Sequence, residues 1–202
     1  MDIRDHVNSD RTLLYCSQLW IKGAIFQGKR LLELHRIRLY EFREMVSNPE
    51  FIHRIVVDQS HPNDMDLIEA DFFVNALYKA YKFTNMLSQK FDVINNVITI
   101  LGRSVSLTDL KDVRDMMNHQ DEYVMPGGGK FSNRYFKKSD DGISSASADS
   151  IGFTDDELWI GNRIEVYRVY KALCDILLIL EKFEEENRET RIFEGIPKGC
   201  IP

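Results

Sequence analysis

Apolar residues that recur at helical spacing limit what this chain of 202 residues can fold into more than any other feature. They fill three stretches, residues 12–47, 66–101 and about 163–185. Gly23 and Gly28 are candidate breaks in the first stretch, which leaves one long helix or two, and Gly102 is a candidate end of the second. The pattern predicts an all-α fold, a bundle of four to six helices.

A shorter helix is predicted after the second stretch. Ser106 is a candidate N-cap, with Asp109 three residues later in the capping-box position. Leu110, Val113 and Met117 form the apolar stripe of this helix. We expect the helix to end near residue 123 or 124, because a proline and three glycines follow.

The remaining sequence predicts one small β element and one loop. Two short apolar runs, residues 151–153 and 158–160, flank a polar four-residue turn, so a small β-hairpin insertion is predicted near residues 151–160. Residues of about 126–150 contain three consecutive glycines and a stretch rich in Ser and Asp, which predicts a flexible loop. At this length we expect a single domain over residues 1–202.

Composition limits the class of protein and its compartment. A formal net charge of −6 argues against broad electrostatic capture of nucleic acid, so any RNA contact would depend on local basic patches. The N-terminus lacks the apolar core of a signal peptide, and no uncharged apolar run approaches the roughly 20 residues that cross a bilayer. Cys16, Cys174 and Cys200 show no paired spacing, which predicts a reduced, cytoplasmic setting. No spacing of histidine, cysteine or carboxylate residues indicates a metal site, and no cofactor is expected.

Residues 112–123 concentrate polar side chains in about three turns of the predicted helix. At 100° per residue, Arg114 and His119 lie about 140° apart around the helix, so they do not share one face. Asp115 lies one turn before His119, and Glu122 almost one turn after it, so either carboxylate could orient the imidazole. Asn118 lies one turn after Arg114.

The run RDMMNH, residues 114–119, resembles the Arg-x(4–6)-His motif of the HEPN superfamily of α-helical bundles, in which a polar residue follows the arginine. Long helices before the motif and one long helix after it also fit that family. The resemblance implies a metal-independent endoribonuclease, with Arg114, His119, Asp115 and Asn118 at the catalytic site. It further implies a homodimer with two motifs facing each other, and a toxin or phage-defence setting with an antitoxin or other partner protein. His119 would then assist 2′-hydroxyl activation or leaving-group protonation, and Arg114 would neutralise charge on the phosphate.

Two further Arg–His pairs match the spacing, Arg30 with His35 and Arg54 with His61. Apolar residues follow both arginines, which argues against either pair. Many HEPN proteins are non-catalytic, so the alternative function is a helical interaction module that uses the same helix as a dimer or partner surface. An enzyme should place Arg114 and His119 around an open positive cleft, whereas a scaffold should hold them in internal ion pairs.

A basic run after the glycines is the candidate RNA-binding segment. It contains no acidic residue and alternates cationic with aromatic side chains, which are the parts of a single-strand binder. The candidate substrate-binding residues are Lys130, Arg134, Lys137 and Lys138, together with Tyr123. The other interpretation is a loop that folds onto the bundle through its aromatic residues and leaves its lysines in water.

Overall fold

The computed structural model describes residues 10–48, 63–119, 136–138, 145–147 and 150–188, with backbone alone at positions 63, 64, 93, 136–138, 145–147 and 188. The helices in these ranges are α1 (Asp10–Ser47), α2 (Asn63–Ser88), α3 (Asn95–Ser104), α4 (Leu107–Asn118) and α5 (Val166–Arg188). A 3-10 turn at Asp92–Ile94 precedes α3. The predicted all-α bundle is confirmed.

The first apolar stretch forms one uninterrupted helix. No proline occurs within α1, so apolar spacing can continue for 38 residues, or about 57 Å. Neither Gly23 nor Gly28 breaks it. Gly28 lies at the crossing with α2 and α5, where an added Cβ would stand 3.1 Å from the Phe73 ring and 3.2 Å from the Tyr170 ring. Its missing side chain therefore lets three helices approach closely.

The core lies where α1, α2 and α5 meet. Helices α1 and α2 are antiparallel, because Lys79 lies 4.0 Å over the ring of Trp20 while Arg38 binds Asp66 at the other end. Ile21, Phe73 and Leu173 are fully buried between these helices. Each such side chain contributes roughly 1.5–3 kcal/mol to folding by leaving water. Helix α3 packs against α5, and α4 against α2.

The second apolar stretch is not one helix. Helix α2 ends at Ser88, and a turn through an extended Phe91 (φ −133°, ψ 106°) separates it from α3. Gly102 does not end α3, which continues to Ser104 and stops where Val105 becomes extended. The predicted stop was wrong because a glycine within a helix costs only about 1 kcal/mol, which packing can offset.

Within the described residues, two small antiparallel sheets lie between α4 and α5. Their strands are β1 (Phe136–Lys138), β2 (Ser145–Ser147), β3 (Ile151–Phe153), β4 (Leu158–Ile160) and β5 (Ile164–Glu165). The pairing of β3 with β4 confirms the predicted hairpin at residues 151–160. Strand β5 adds to β4, whereas β1 pairs with β2 inside the segment predicted to be a loop. The rest of residues 126–149 lies outside the described residues.

A glycine-asparagine turn positions β5. Gly161 (φ 60°) and Asn162 (φ 53°) are both left-handed, and the N–H of Arg163 donates to the carbonyl of Ile160 at 3.0 Å. Consecutive left-handed residues suit the twist of a hairpin, and glycine and asparagine adopt them at low cost. Across the described ranges, no helix is both long and apolar enough to cross a membrane.

Candidate functional site at the end of α4

The sequence around Ser106 builds the helix that carries the candidate site. The Ser106 hydroxyl accepts a hydrogen bond from the N–H of Asp109 at 3.4 Å, as the N-cap prediction requires. Leu110, Val113 and Met116 are buried against the bundle. Met116 was not in the predicted stripe, while Met117, which was, is only partly buried against the core.

Helix α4 is shorter than predicted. It ends at Asn118, and His119 is its C-cap with non-helical backbone angles (φ −128°, ψ 38°). The His119 N–H donates to the carbonyl of Asp115 at 3.1 Å, which closes the last turn. The predicted end near residue 123 or 124 is therefore wrong. Because the backbone leaves the helical conformation at His119, the angular spacing of an ideal helix does not apply to the residues that follow.

Arg114 makes its contacts inside the subunit. Its Nε donates to Oδ1 of Asp115 at 2.9 Å, and its terminal nitrogen forms an ion pair with the same oxygen. The guanidinium carbon also lies 3.7 Å above the ring of Tyr78 on α2. Adjacent helix positions do not face each other, so the arginine curls back across its own helix to reach Asp115.

The charge of Arg114 is stabilised by these contacts. Partial burial lowers the pKa of Arg114, but hydrogen bonds to Asp115 and Tyr78 outweigh burial, so the pKa is raised overall. The side chain is 23% exposed. Arg114 is therefore a partly buried cation whose counter-charge is already supplied by the next residue.

His119 and Asn118 are exposed at the end of α4. Asn118 lies one turn after Arg114 on the same edge of the helix, whereas His119 leaves the helical conformation. The carboxylate expected to orient His119 was that of Asp115 or Glu122. Oδ1 of Asp115 accepts from Arg114, and Glu122 lies outside the described residues. The four catalytic candidates are thus brought to one helix end, but Arg114 faces the bundle.

Acidic residues dominate the described surface of α4. Asp109, Asp112 and Asp115 are partly exposed on a helix whose basic residues are Lys111 and Arg114. Asp109 also lies 3.8 Å from Nε of the buried Arg163. Two of these carboxylates are paired with arginines, so the helix carries no excess of positive charge that would attract an anionic phosphodiester.

Sequence patterns gave no sign of the pair between Asp109 and Arg163. Burial lowers the pKa of Arg163, while the nearby carboxylates of Asp109 and Asp112 act in the opposite direction. The guanidinium also donates to the carbonyl of Gly161 at 3.2 Å. Since Arg163 follows β4 and Asp109 begins α4, this cation connects the small sheet to the helix that carries the candidate site.

His35 is deeply buried, at 3% exposure. Its Nε2 lies 2.9 Å from the carbonyl of Thr154, and its Nδ1 lies 3.0 Å from the hydroxyl of Tyr167. A carbonyl can only accept, so Nε2 must carry a proton. His35 therefore joins α1, the turn of the β3–β4 hairpin and α5. This packing role agrees with the argument from sequence against Arg30 and His35 as the Arg–His motif.

The candidate RNA-binding residues are mostly outside the described residues. This holds for Tyr123, Lys130 and Arg134. Lys137 and Lys138 lie in β1, where the backbone alone is described. Their register with β2 pairs Lys137 with Ala146 and Lys138 with Ser145. Whether these residues form one binding surface stays a prediction.

No protein-family model, curated protein or solved structure matches this chain. The resemblance to the HEPN superfamily therefore stays a prediction that depends on residues 114–119. Among the described residues, no group of three or more His, Cys, Asp or Glu side chains is placed to hold a metal ion.

Proposed function

We propose that this chain is a cytoplasmic, non-catalytic helical interaction module. The observation that supports this most is the environment of Arg114, whose guanidinium binds Asp115 and stacks on Tyr78 within the subunit. The two functions considered from sequence make different predictions for this arginine. An enzyme should place it at an open positive cleft, whereas a scaffold should hold it in an internal ion pair.

A phosphate that approaches Arg114 competes with Asp115 for the guanidinium. The carboxylate is attached to the next residue, so its effective concentration at the guanidinium is high and an external anion competes poorly. Displacement would also leave the carboxylate of Asp115 beside the incoming phosphate, with Asp112 on the same helix. Both effects weaken the electrostatic stabilisation that ribonuclease chemistry needs from this arginine.

Exposed apolar side chains support binding to another protein. On α1 and α2 of the described chain, eight of the residues that stay largely exposed are Tyr15, Leu19, Phe26, Ile37, Tyr40, Leu67, Ile68 and Phe72. Single exposed apolar residues are ordinary, but a concentration on neighbouring helices is typical of an interaction surface.

The second candidate is the HEPN-type endoribonuclease. One observation favours it: His119 is exposed at the helix end, and Arg114, although paired, keeps part of its side chain accessible. A homodimer that brings His119 of one copy near Arg114 of the other could then form a composite site, with an antitoxin or another partner protein controlling it. Lys130, Arg134, Lys137, Lys138 and Tyr123 would bind the RNA in this mechanism.

Incubation of the purified protein with total RNA in EDTA separates the two functions. The interaction module predicts that wild type, His119→Ala and Arg114→Ala leave RNA equally intact. Lys111→Ala, which removes an exposed cation from the same helix, is the matched control. Cleavage by wild type and by Lys111→Ala, lost in both His119→Ala and Arg114→Ala, would replace the interaction module with the ribonuclease.

A further inference from the structure

One row of exposed apolar residues runs along α1 on the side opposite the core. Tyr15, Leu19, Phe26, Ile37 and Tyr40 are each between 46% and 63% exposed. At 100° per residue, all five fall within about 40° of Phe26 around the helix. We call these five residues the outer strip. It extends over 25 positions, or about 38 Å, which is far longer than a chance pair of exposed side chains.

Gly23 adds a second observation on the same side of α1. It lies about 60° from Phe26 around the helix, in the middle of an element that glycine destabilises. An added Cβ at Gly23 would meet no atom within 4 Å, so packing within the subunit does not require the glycine. Gly28 differs, because Phe73 and Tyr170 fill the space beside it. A glycine open to solvent on a helix allows another helix to approach closely.

Charges along the outer strip separate by sign. The charged residues within about 60° of Phe26 are basic up to residue 30 and acidic from residue 33 onward. The basic set is Arg11, Lys22, Lys29 and Arg30, and the acidic set is Glu33, Glu41 and Glu44. Lys22 also binds Glu181, and Lys29 binds Glu33, but these pairs are exposed and can exchange at low cost. Arg30 binds the buried Glu69 of its own subunit and keeps that partner. Arg36 and Arg43 lie outside this sector.

We infer that the outer strip binds the outer strip of a second copy of this chain, with the two α1 helices antiparallel about a two-fold axis near residues 31 and 32. An antiparallel pair places each basic half against the acidic half of its partner, whereas a parallel pair would oppose like charges. Lys22 then faces Glu41 of the partner subunit, and Phe26 faces the partner's Ile37. The partner's Tyr40 packs over Gly23. A two-fold interface of this kind is self-complementary.

The outer strip alone is smaller than a standard interface. It is about 38 Å long and about 10 Å wide, so it covers roughly 400 Å² per copy, about half of the roughly 800 Å² that each partner buries in a standard interface. Phe72 on α2 widens this surface. Arg30 lies beside the ring of Phe26 and binds Glu69 on α2, and Phe72 is one turn after Glu69. This inference rests on the proposed interaction module and names its partner.

Sedimentation of the full chain over a range of concentrations tests the dimer. Phe26→Arg should weaken self-association at least tenfold, because it places a charge against the partner's Ile37 in an apolar part of the interface. Leu178→Arg is the matched control, since Leu178 is a 66% exposed leucine on α5, away from the outer strip. It should leave the dimer unchanged, and circular dichroism should show wild-type helicity in both variants. A monomeric wild type, or equal dimers in wild type and Phe26→Arg, would overturn the inference.

A charge exchange tests the antiparallel pairing. A variant with Glu33→Lys, Glu41→Lys and Glu44→Lys is basic along the whole strip. A variant with Lys22→Glu and Lys29→Glu keeps two of its four basic residues and gains two acidic ones. Each should be a monomer alone, and a mixture should form heterodimers. Failure to associate on mixing would contradict the predicted charge contacts. These results do not depend on the RNA assay. If self-association fails while RNA stays intact, the chain is an interaction module that binds a different protein through another surface, and not a ribonuclease.

Discussion

Two glycines in α1 have opposite surroundings although both interrupt the same apolar pattern. Gly23 faces open space, whereas Gly28 lies against the rings of Phe73 and Tyr170. Replacing glycine by alanine in a helix gains about 0.5–1 kcal/mol in the free energy of unfolding where space permits. At Gly28 the new methyl group must displace two aromatic rings, and overpacking of this kind costs roughly 1–3 kcal/mol.

We therefore expect Gly23→Ala to stabilise the subunit by about 0.5–1 kcal/mol and Gly28→Ala to destabilise it by about 1 kcal/mol. Urea unfolding in the Phe26→Arg background measures both effects without contributions from self-association. A loss of stability in Gly23→Ala would mean that the glycine is needed within the subunit. That result would remove one of the reasons for placing a partner helix beside it.

Single residues also show how far the candidate site could be predicted. The N-cap at Ser106 was predicted, because a cap depends on local sequence. The contacts of Arg114 depend on Tyr78 of another helix and on the rotamer that reaches Asp115. Helical spacing contains no information on either. The buried cation at Arg163 was missed for the same reason, since its partner Asp109 is distant in sequence.

At the scale of elements, the pairing of α1 with α2 depends on a contact between an exposed arginine and a buried carboxylate. Arg30 binds Glu69, whose side chain is only 5% exposed. Removing Arg30 leaves the charge of Glu69 without its counter-ion in the interface. Since Arg30 itself is half exposed, we expect Arg30→Ala to cost about 2 kcal/mol in the free energy of unfolding, less than a fully buried pair would.

Lys29→Ala is the control for this prediction, because Lys29 and Glu33 are both exposed and form a pair on α1 alone. Its effect on the free energy of unfolding should stay within about 0.5 kcal/mol. Urea denaturation of both variants gives the comparison. Equal costs at the two positions would show that Glu69 does not depend on Arg30.

Element boundaries were predicted well where a local signal marks them and poorly elsewhere. No glycine or proline occurs between residues 88 and 95, and Phe91 and Ile94 continue the apolar spacing, so the break between α2 and α3 has no signal in the sequence. The start of α5 shifted from about 163 to Val166, because Ile164 and Glu165 pair with β4. The Glu165 carboxylate then caps α5 by accepting from the N–H groups of Tyr167 and Arg168.

For the whole molecule, an interface on α1 would connect self-association to folding. The outer strip and the core are opposite faces of the same helix, and α1 packs against both α2 and α5. A partner that binds only folded α1 stabilises the fold by mass action. The thermal midpoint of wild type should therefore rise with protein concentration, on the order of 2 °C for each tenfold increase.

Thermal unfolding followed by circular dichroism across two decades of concentration measures this dependence. In Phe26→Arg the midpoint should not vary with concentration, because the subunit core remains while the partner contact is lost. Leu178→Arg should keep the wild-type slope. High salt should reduce that slope, because salt screens the attraction between the basic residues of one α1 helix and the acidic residues of the other. The screening length is about 10 Å at 0.1 M salt. A concentration dependence that persists in Phe26→Arg would place the interface on a different face of the bundle.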